Sequence, residues 1–220
     1  MTETPSRGWS SSASATADVV LLRHGATRLT PDKRFSGTGA ADPALSPAGR
    51  DQAARAAASS LLRSAAFADV LCSPMTRCRQ TAEIVADQLG LEVRVEPDLS
   101  EMDFGRWEGM TFAEVQDRYP EDLRRWQLSP GAAPTGSIET FTAVFDRMSR
   151  LARSLAVRYA GTAVIAVSHV TPIKALIAQA VGAPPAAMFR IELSAAAFSR
   201  IAYSGQEASV TLVNDASHLV

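Results

Sequence analysis

The chain has 220 residues, 46% of them hydrophobic and 20% charged, enough for one sizeable core, which excludes disorder along its whole length. With 22 Lys and Arg against 23 Asp and Glu, the formal charge of −1 gives no global positive field for nonspecific binding to nucleic acid or to anionic membranes. Apolar runs such as Ala163 to Val167 fall far short of the roughly 20 residues needed to cross a bilayer.

Residues 1–17 are rich in Ser, Thr and Ala and lack an apolar signal core, so they read as a disordered tail or linker before a single domain at 18–220. The expected setting is the cytoplasm. Asp18 to Leu22 (DVVLL) is a short continuous apolar run, as in a strand buried on both faces. Ser46-Pro47 has the form of an N-cap with proline at the first helical position, and the helix is expected to continue to about Leu62. Ala68 to Cys72 is a second strand, Met75 to Leu89 a helix ended by Gly90, and Leu91 to Val95 a third strand. From Leu99 to Ser137 the pattern is irregular, with one or two short helices expected in an insertion over the sheet. A long helix over about Glu139 to Tyr159 leads to Thr162 to Val167 (TAVIAV), which reads as the central strand, and a helix follows from about Thr171 to Val181. Phe189 to Leu193, Ala197 to Tyr203 and Ser209 to Val213 are expected to complete the sheet. Alternating strands and helices of this kind indicate an α/β domain.

Chemistry gathers at the strand ends, where open α/β sheets bind ligands. Arg23-His24-Gly25 follows the first strand, Ser73 to Arg77 the second, and Ser168-His169 the central one. If these strands are neighbours, two imidazoles and two guanidiniums share one cleft. Arginine presents a planar fork matched to phosphate oxygens and is charged at any working pH. A neutral histidine in line with phosphorus can accept the phosphoryl group, and nearby cations both keep it unprotonated and neutralise charge on the equatorial oxygens. A carboxyl group on a nearby loop would have to supply the proton for the leaving alcohol. Cys72 and Cys78 form neither a CxxC pair nor a His/Cys cluster, so they read as reduced packing residues. No metal ligand set and no cofactor is indicated.

The segments LLRHGAT (21–27), LSPAGRDQA (45–53), LCSPMTRCRQTAEI (71–84), LSEMDFGRWEGMTFAEV (99–115) and VSHVTPIKALI (167–177) resemble, in this order, the histidine phosphatase superfamily, also called phosphoglycerate-mutase-like. DFGRWEGMTFAEV, SHVTPIK and the closing TLVNDASHL are similar to the acid phosphatase part of bifunctional ribonuclease HI/acid phosphatase proteins and to the α-ribazole phosphatase branch. The resemblance implies a three-layer α/β/α fold with a mainly parallel sheet. It implies His24 as phosphoryl-accepting nucleophile, Arg23 and Arg77 as phosphate-binding arginines, His169 as the second histidine and Glu101 as general acid. Glu108 is assigned a structural role and Trp107 a packing one. Many members carry Asn six residues after the nucleophile, where this chain has Thr30, so Thr30 is a candidate phosphate contact. Many also have Gly-Glu-Ser before the long helix, whereas this chain has Ile138-Glu139-Thr140, so the entry to that helix is expected to differ.

Three functions stay open on these grounds: a metal-independent phosphomonoesterase of acid phosphatase type acting on small monoesters, a phosphoglycerate-type phosphomutase, and a phosphate-binding or interaction module without turnover. The short stretch between Glu101 and Glu139 does not follow the substrate clamp of the longer mutases. No nucleic acid or membrane is an expected partner of this domain, although a ribonuclease H domain could precede it in a longer chain. Specificity is expected to reside in the 99–137 insertion and the 28–42 loop.

Overall fold

The computed structural model describes residues 15–39 and 41–220. The expected tail therefore lies outside the described residues except at its end, where Ala17, counted with the tail, opens the first strand instead. Six strands, β1 (Ala17–Arg23), β2 (Phe67–Cys72), β3 (Val93–Val95), β4 (Ala163–Ser168), β5 (Phe198–Ser204) and β6 (Glu207–Asp215), form one sheet in the order β3-β2-β4-β1-β5-β6. Strands β3, β2, β4 and β1 run parallel, and the β5–β6 hairpin adds an antiparallel edge.

Alternation along the strands explains the layers. Val19, Leu21, Val164 and Ala166 face one core, shared with Val144, Met148, Leu151 and Leu155 of α6 (Phe141–Arg158) and Ile173 and Leu176 of α7 (Val170–Ala180). Val20, Leu22, Ile165 and Val167 face the other, packed by Ala56 and Ala57 of α1 (Pro47–Ala57), Leu62 of α2 (Ser60–Arg63) and Ala82 and Val85 of α3 (Thr76–Leu89). Every residue of β4 is buried, which is why its sequence shows no polar alternation. The result is an α/β/α sandwich with a mostly parallel sheet. Among the described residues no helix is long and apolar enough to cross a membrane.

Ser46 caps α1 as its sequence predicts, accepting the Gly49 amide at 3.1 Å, and Gly90 ends α3 with φ of 67°, a left-handed conformation natural to glycine. Two expectations need correction. The helix from Ser46 does not run unbroken to Leu62: it stops at Ala57, and Ser59, in extended conformation, caps the separate turn α2. Adjacent serines at 59 and 60 offer the backbone a local alternative to helix. Phe189 to Leu193 is not a strand. Pro184 and Pro185 start a 3₁₀ segment, Pro185–Arg190, and the chain beyond it is irregular, its apolar residues packing on the core that α6 and α7 share and not pairing in the sheet.

Within the insertion lie two short helices, α4 (Phe112–Arg118) and α5 (Pro120–Leu128). Trp107 and Trp126 are buried edge to face at 5.3 Å, with Phe35 tilted against Trp107 and Phe104 tilted against Phe35. These rings form the core of the insertion and fix it to the 28–42 loop. Entry to α6 is made by Thr140, whose hydroxyl accepts the Ala143 amide at 3.1 Å. Ile138, the residue in place of the family's glycine, is fully exposed and keeps ordinary backbone angles.

Candidate active site

Strands β2, β4 and β1 are neighbours, and their carboxyl ends are level, with Arg23 opposite Ser168 and Cys72 opposite Val167. The ladder continues one residue further: the His24 amide donates to the Ser168 carbonyl and the Ser73 amide to the Val167 carbonyl, each at 3.0 Å. Three strand ends chosen from sequence thus meet in one place. The rings of His24 and His169 lie edge to face with centroids 5.1 Å apart, and both are buried.

The turn after β1 is pressed against the start of α1. A Cβ on Gly25 would fall 2.3 Å from the Gly49 carbonyl oxygen, and one on Gly49 would fall 1.9 Å from the Ala26 oxygen. Only glycine permits that approach, which accounts for the glycines of both RHG and LSPAG. The Gly25 amide donates to the Thr81 hydroxyl at 3.1 Å and the Ala26 amide to Gln52 at 2.9 Å. Nδ1 of His24 is 2.8 Å from the Gly25 carbonyl. A carbonyl can only accept, so Nδ1 carries the ring proton and Nε2 the lone pair. Burial holds the His24 pKa well below the usual histidine value, and the Arg23 and Arg77 charges lower it further. His169 is lowered likewise, by burial first and then by Arg77.

Arg77 projects from the first turn of α3 and is 1% exposed. Its Nη2 donates to the Ser36 carbonyl at 2.8 Å, and its Nη1 lies 3.6 Å from Asp42. Arg23 donates through Nη1 to the Leu193 carbonyl at 2.6 Å. Arg23 Nε and Arg77 Nε and Nη1 are buried and have no hydrogen-bond partner among the described residues, nor has the Ser36 hydroxyl. Buried guanidinium donors left without a protein hydrogen bond are what a site for oxyanions requires.

Glu101 enters from the 98–103 loop and is 5% exposed. Its Oε1 accepts the Met102 amide at 2.8 Å, and both oxygens accept the Thr171 amide at 3.3 Å. Burial raises its pKa above the usual carboxylate value, against the lowering effect of those hydrogen bonds and of Arg77. Two residues of the α6 region hold this loop from both sides. Arg147 donates to the carbonyls of Asp98 and Ser100 and to Glu139, and Glu139 accepts the Asp103 amide at 2.8 Å.

Arg23, His24, Arg77, Glu101 and His169 are therefore brought together. The Thr30 hydroxyl accepts the Thr27 amide at 2.9 Å and lies 3.3 Å from the Thr27 hydroxyl, bracing the turn of its own loop. Glu108 accepts the Gly37 amide at 3.0 and 2.9 Å, a structural tie between the two covering loops. Sequence reasoning missed Ser73, whose hydroxyl is 2.8 Å from His169 Nε2, and the place of Cys78 in the site, its sulfur 3.3 Å from the same nitrogen. Burial drives the Cys78 thiol pKa well up, so it contributes as a neutral group. Ser73 stands at the second strand end and could have been noticed there. Ser36 and Arg147 carry no such local signal, and Glu139 is marked only as the glutamate of Ile138-Glu139-Thr140. Among the described residues no cluster of three or more His, Cys, Asp or Glu is arranged to hold a metal ion.

Comparison with known proteins agrees with this geometry. The chain is 41% identical over 220 residues to a bifunctional protein of Mycobacterium tuberculosis H37Rv, covering 99% of this chain and 59% of that protein. This chain thus spans about three-fifths of that relative. It is 30% identical to phosphoserine phosphatase 1 of Hydrogenobacter thermophilus, over 91% of this chain and 93% of the relative. A solved structure of a putative alpha-ribazole-5'-P phosphatase from Escherichia coli superposes with a TM-score of 0.80 at 29% identity, covering 91% of this chain and 97% of the other. With the histidine phosphatase superfamily (branch 1) model matching residues 19–216 across the strand-end cluster and both covering loops, the chain belongs to that superfamily.

Proposed function

We propose that this protein is a phosphomonoesterase that works without a metal through a phosphohistidine at His24. The observation that carries the reading is the buried, neutral His24, its lone pair on Nε2, beside arginine donors that have no hydrogen-bond partner among the described residues. In the first step Nε2 attacks phosphorus, the bond from phosphorus to the leaving oxygen breaks, and the proton held by Glu101 passes to that oxygen. Arg23 and Arg77 hold the phosphoryl oxygens, and neutral His169, set by Ser73, adds a hydrogen bond. In the second step the Glu101 carboxylate takes a proton from water as the water oxygen attacks phosphorus. The bond from phosphorus to nitrogen breaks, giving inorganic phosphate, free His24 and reprotonated Glu101. The raised pKa of Glu101 and the lowered pKa of His24 suit these roles at acid pH, which supports the acid phosphatase reading. Thr30 enters through the turn it braces, which carries the loop over the cleft.

Relatives named as phosphatases support hydrolysis over mutase chemistry. The bifunctional relative supports reading this chain as one module of a longer protein, with a ribonuclease H domain as the proposed neighbour. Two buried free thiols are consistent with a cytoplasmic setting. The test is release of inorganic phosphate from an aryl phosphate in the presence of a chelator. Activity that survives chelation and is lost in His24→Ala is expected. Chelator-sensitive turnover, a positional isomer of the substrate as product, or full activity in His24→Ala would each overturn the proposal.

A further inference from the structure

Lys174 is a cation near the site that the proposed chemistry leaves without a task. It lies in α7 three residues after Thr171, hence on the same face of the helix. Thr171 is bonded to Glu101 through its side chain as well as its amide, and it is the side-chain contact that turns this face toward the carboxyl group. On the far side, the bond from Arg23 to the Leu193 carbonyl draws the 192–194 segment across, with Glu192 next to it. Lys174 is half-buried in that corner, and among the described residues it forms no hydrogen bond or ion pair. Its ammonium group is subject to the charges of Glu101, Arg23 and Glu192, while burial lowers its pKa most.

Resting on the catalytic reading above, we infer that Lys174 is a specificity-determining residue that selects monoesters whose leaving group carries a second anionic substituent, a carboxylate or a phosphate. A general acid must lie within hydrogen-bond reach of the leaving oxygen, so a group beside Glu101 is beside the leaving group. Arg23 and Arg77 already provide donors for the phosphoryl oxygens. The charge of Lys174 is thus available to whatever the ester bears a few atoms from its oxygen. A partly desolvated ammonium without a protein partner is unfavourable until an anion meets it, and a site built this way discriminates against substrates that lack the anion.

The experiment measures kcat/KM of the full chain for three esters. Glycerol 3-phosphate has a neutral leaving group, 3-phosphoglycerate replaces its hydroxymethyl group by carboxylate, and glycerol 1,3-bisphosphate carries a second phosphate on that hydroxymethyl oxygen, two bonds further out than the carboxylate carbon. At least one anionic ester is expected to exceed glycerol 3-phosphate by about ten- to a hundred-fold, the span of one charge-assisted hydrogen bond. That ratio is expected to collapse to within about threefold in Lys174→Met and to be largely kept in Lys174→Arg. The two anionic arms separate a carboxylate site from a phosphate site. A wild-type ratio near unity overturns the inference without need of any variant, and so does a ratio unchanged in Lys174→Met. Absence of His24-dependent phosphate release from every ester, an aryl phosphate included, would instead remove the catalytic reading and the inference with it.

Discussion

Arg77→Met removes the most deeply buried cation of the site and keeps an apolar stem in its place. In the wild type, Nη2 is occupied by the Ser36 carbonyl at 2.8 Å, whereas Nε and Nη1 have no hydrogen-bond partner among the described residues. Those two donors are the ones assigned to phosphoryl oxygens. A hydrogen bond to a charged group contributes about 1.5–3 kcal/mol. Losing two together therefore lowers kcat/KM by about 3–6 kcal/mol, or roughly two to four decades. Stability moves less, because the variant leaves the Ser36 carbonyl without its donor at about 1–3 kcal/mol but also removes a desolvated charge. Steady-state hydrolysis of an aryl phosphate, with a denaturant midpoint as the control for folding, measures both. Arg77→Lys is expected to recover only part of the loss, since it restores the charge and not the fork. A second signature follows from electrostatics. Arg77 is one of the cations that lower His24, so its removal raises the His24 pKa and moves the acid limb of the pH profile to higher pH. A folded Arg77→Met variant within about threefold of wild type would show that this guanidinium does not meet the phosphate.

Glu101→Gln cannot donate a proton, and kcat/KM is expected to fall by about two to four decades for alkyl esters and by less for aryl esters with better leaving groups. Because burial raises the Glu101 pKa, wild-type activity declines as pH rises through that raised value. The decline is expected to vanish in Glu101→Gln, and its persistence would assign the titration elsewhere. Arg147→Met frees the carbonyls of Asp98 and Ser100 and takes from Glu139 its ion-pair partner. Stability should drop by about 2 kcal/mol, and kcat should fall more than KM rises, because the loop bearing Glu101 is loosened while the arginines stay; a pure KM effect would contradict this positioning role. His24 and His169 are both held well below the usual histidine value. Their contribution to stability is complete above about pH 6.5 and is lost as pH falls, by up to about 1.4 kcal/mol per pH unit for each ring. Glu101, being raised, has the opposite sign: its contribution is complete below its unfolded value and is lost as pH rises through the folded one. The two imidazoles outweigh it, so denaturant midpoints should fall from pH 7 to pH 5, and less steeply in His169→Gln. A flat profile would show that the rings accept protons in the native state.

The strands and the three reactive strand ends were legible because each depends on local patterns. Continuous apolar runs mark strands covered on both faces, and Arg23, His24, Arg77 and His169 sit within a residue or a few of where those runs stop. Parallel order and level registration then bring them together. Glu101 was visible only through the family resemblance, since its loop has no periodicity and its position depends on Arg147 and Glu139, some 40 residues further along the chain. The supporting contacts of Ser36, Ser73 and Cys78 were not legible for the same reason, as they exist only once distant elements have packed. Ser59 interrupted a helix that Ala-rich periodicity alone would have continued. Phe189 to Leu193 has the pattern of a strand because an apolar run buried against helices looks like one buried in a sheet, whereas the two prolines before it start a 3₁₀ turn.

The most direct test is to mix enzyme with substrate labelled in its phosphoryl group, quench within the first turnovers, and map any label on the chain. An acid-labile, base-stable adduct on the peptide containing His24, absent from His24→Ala and, with an aryl ester as substrate, accumulating in Glu101→Gln, is the predicted result. Label bound to another residue, or full turnover with no adduct at any time, would contradict transfer through this imidazole.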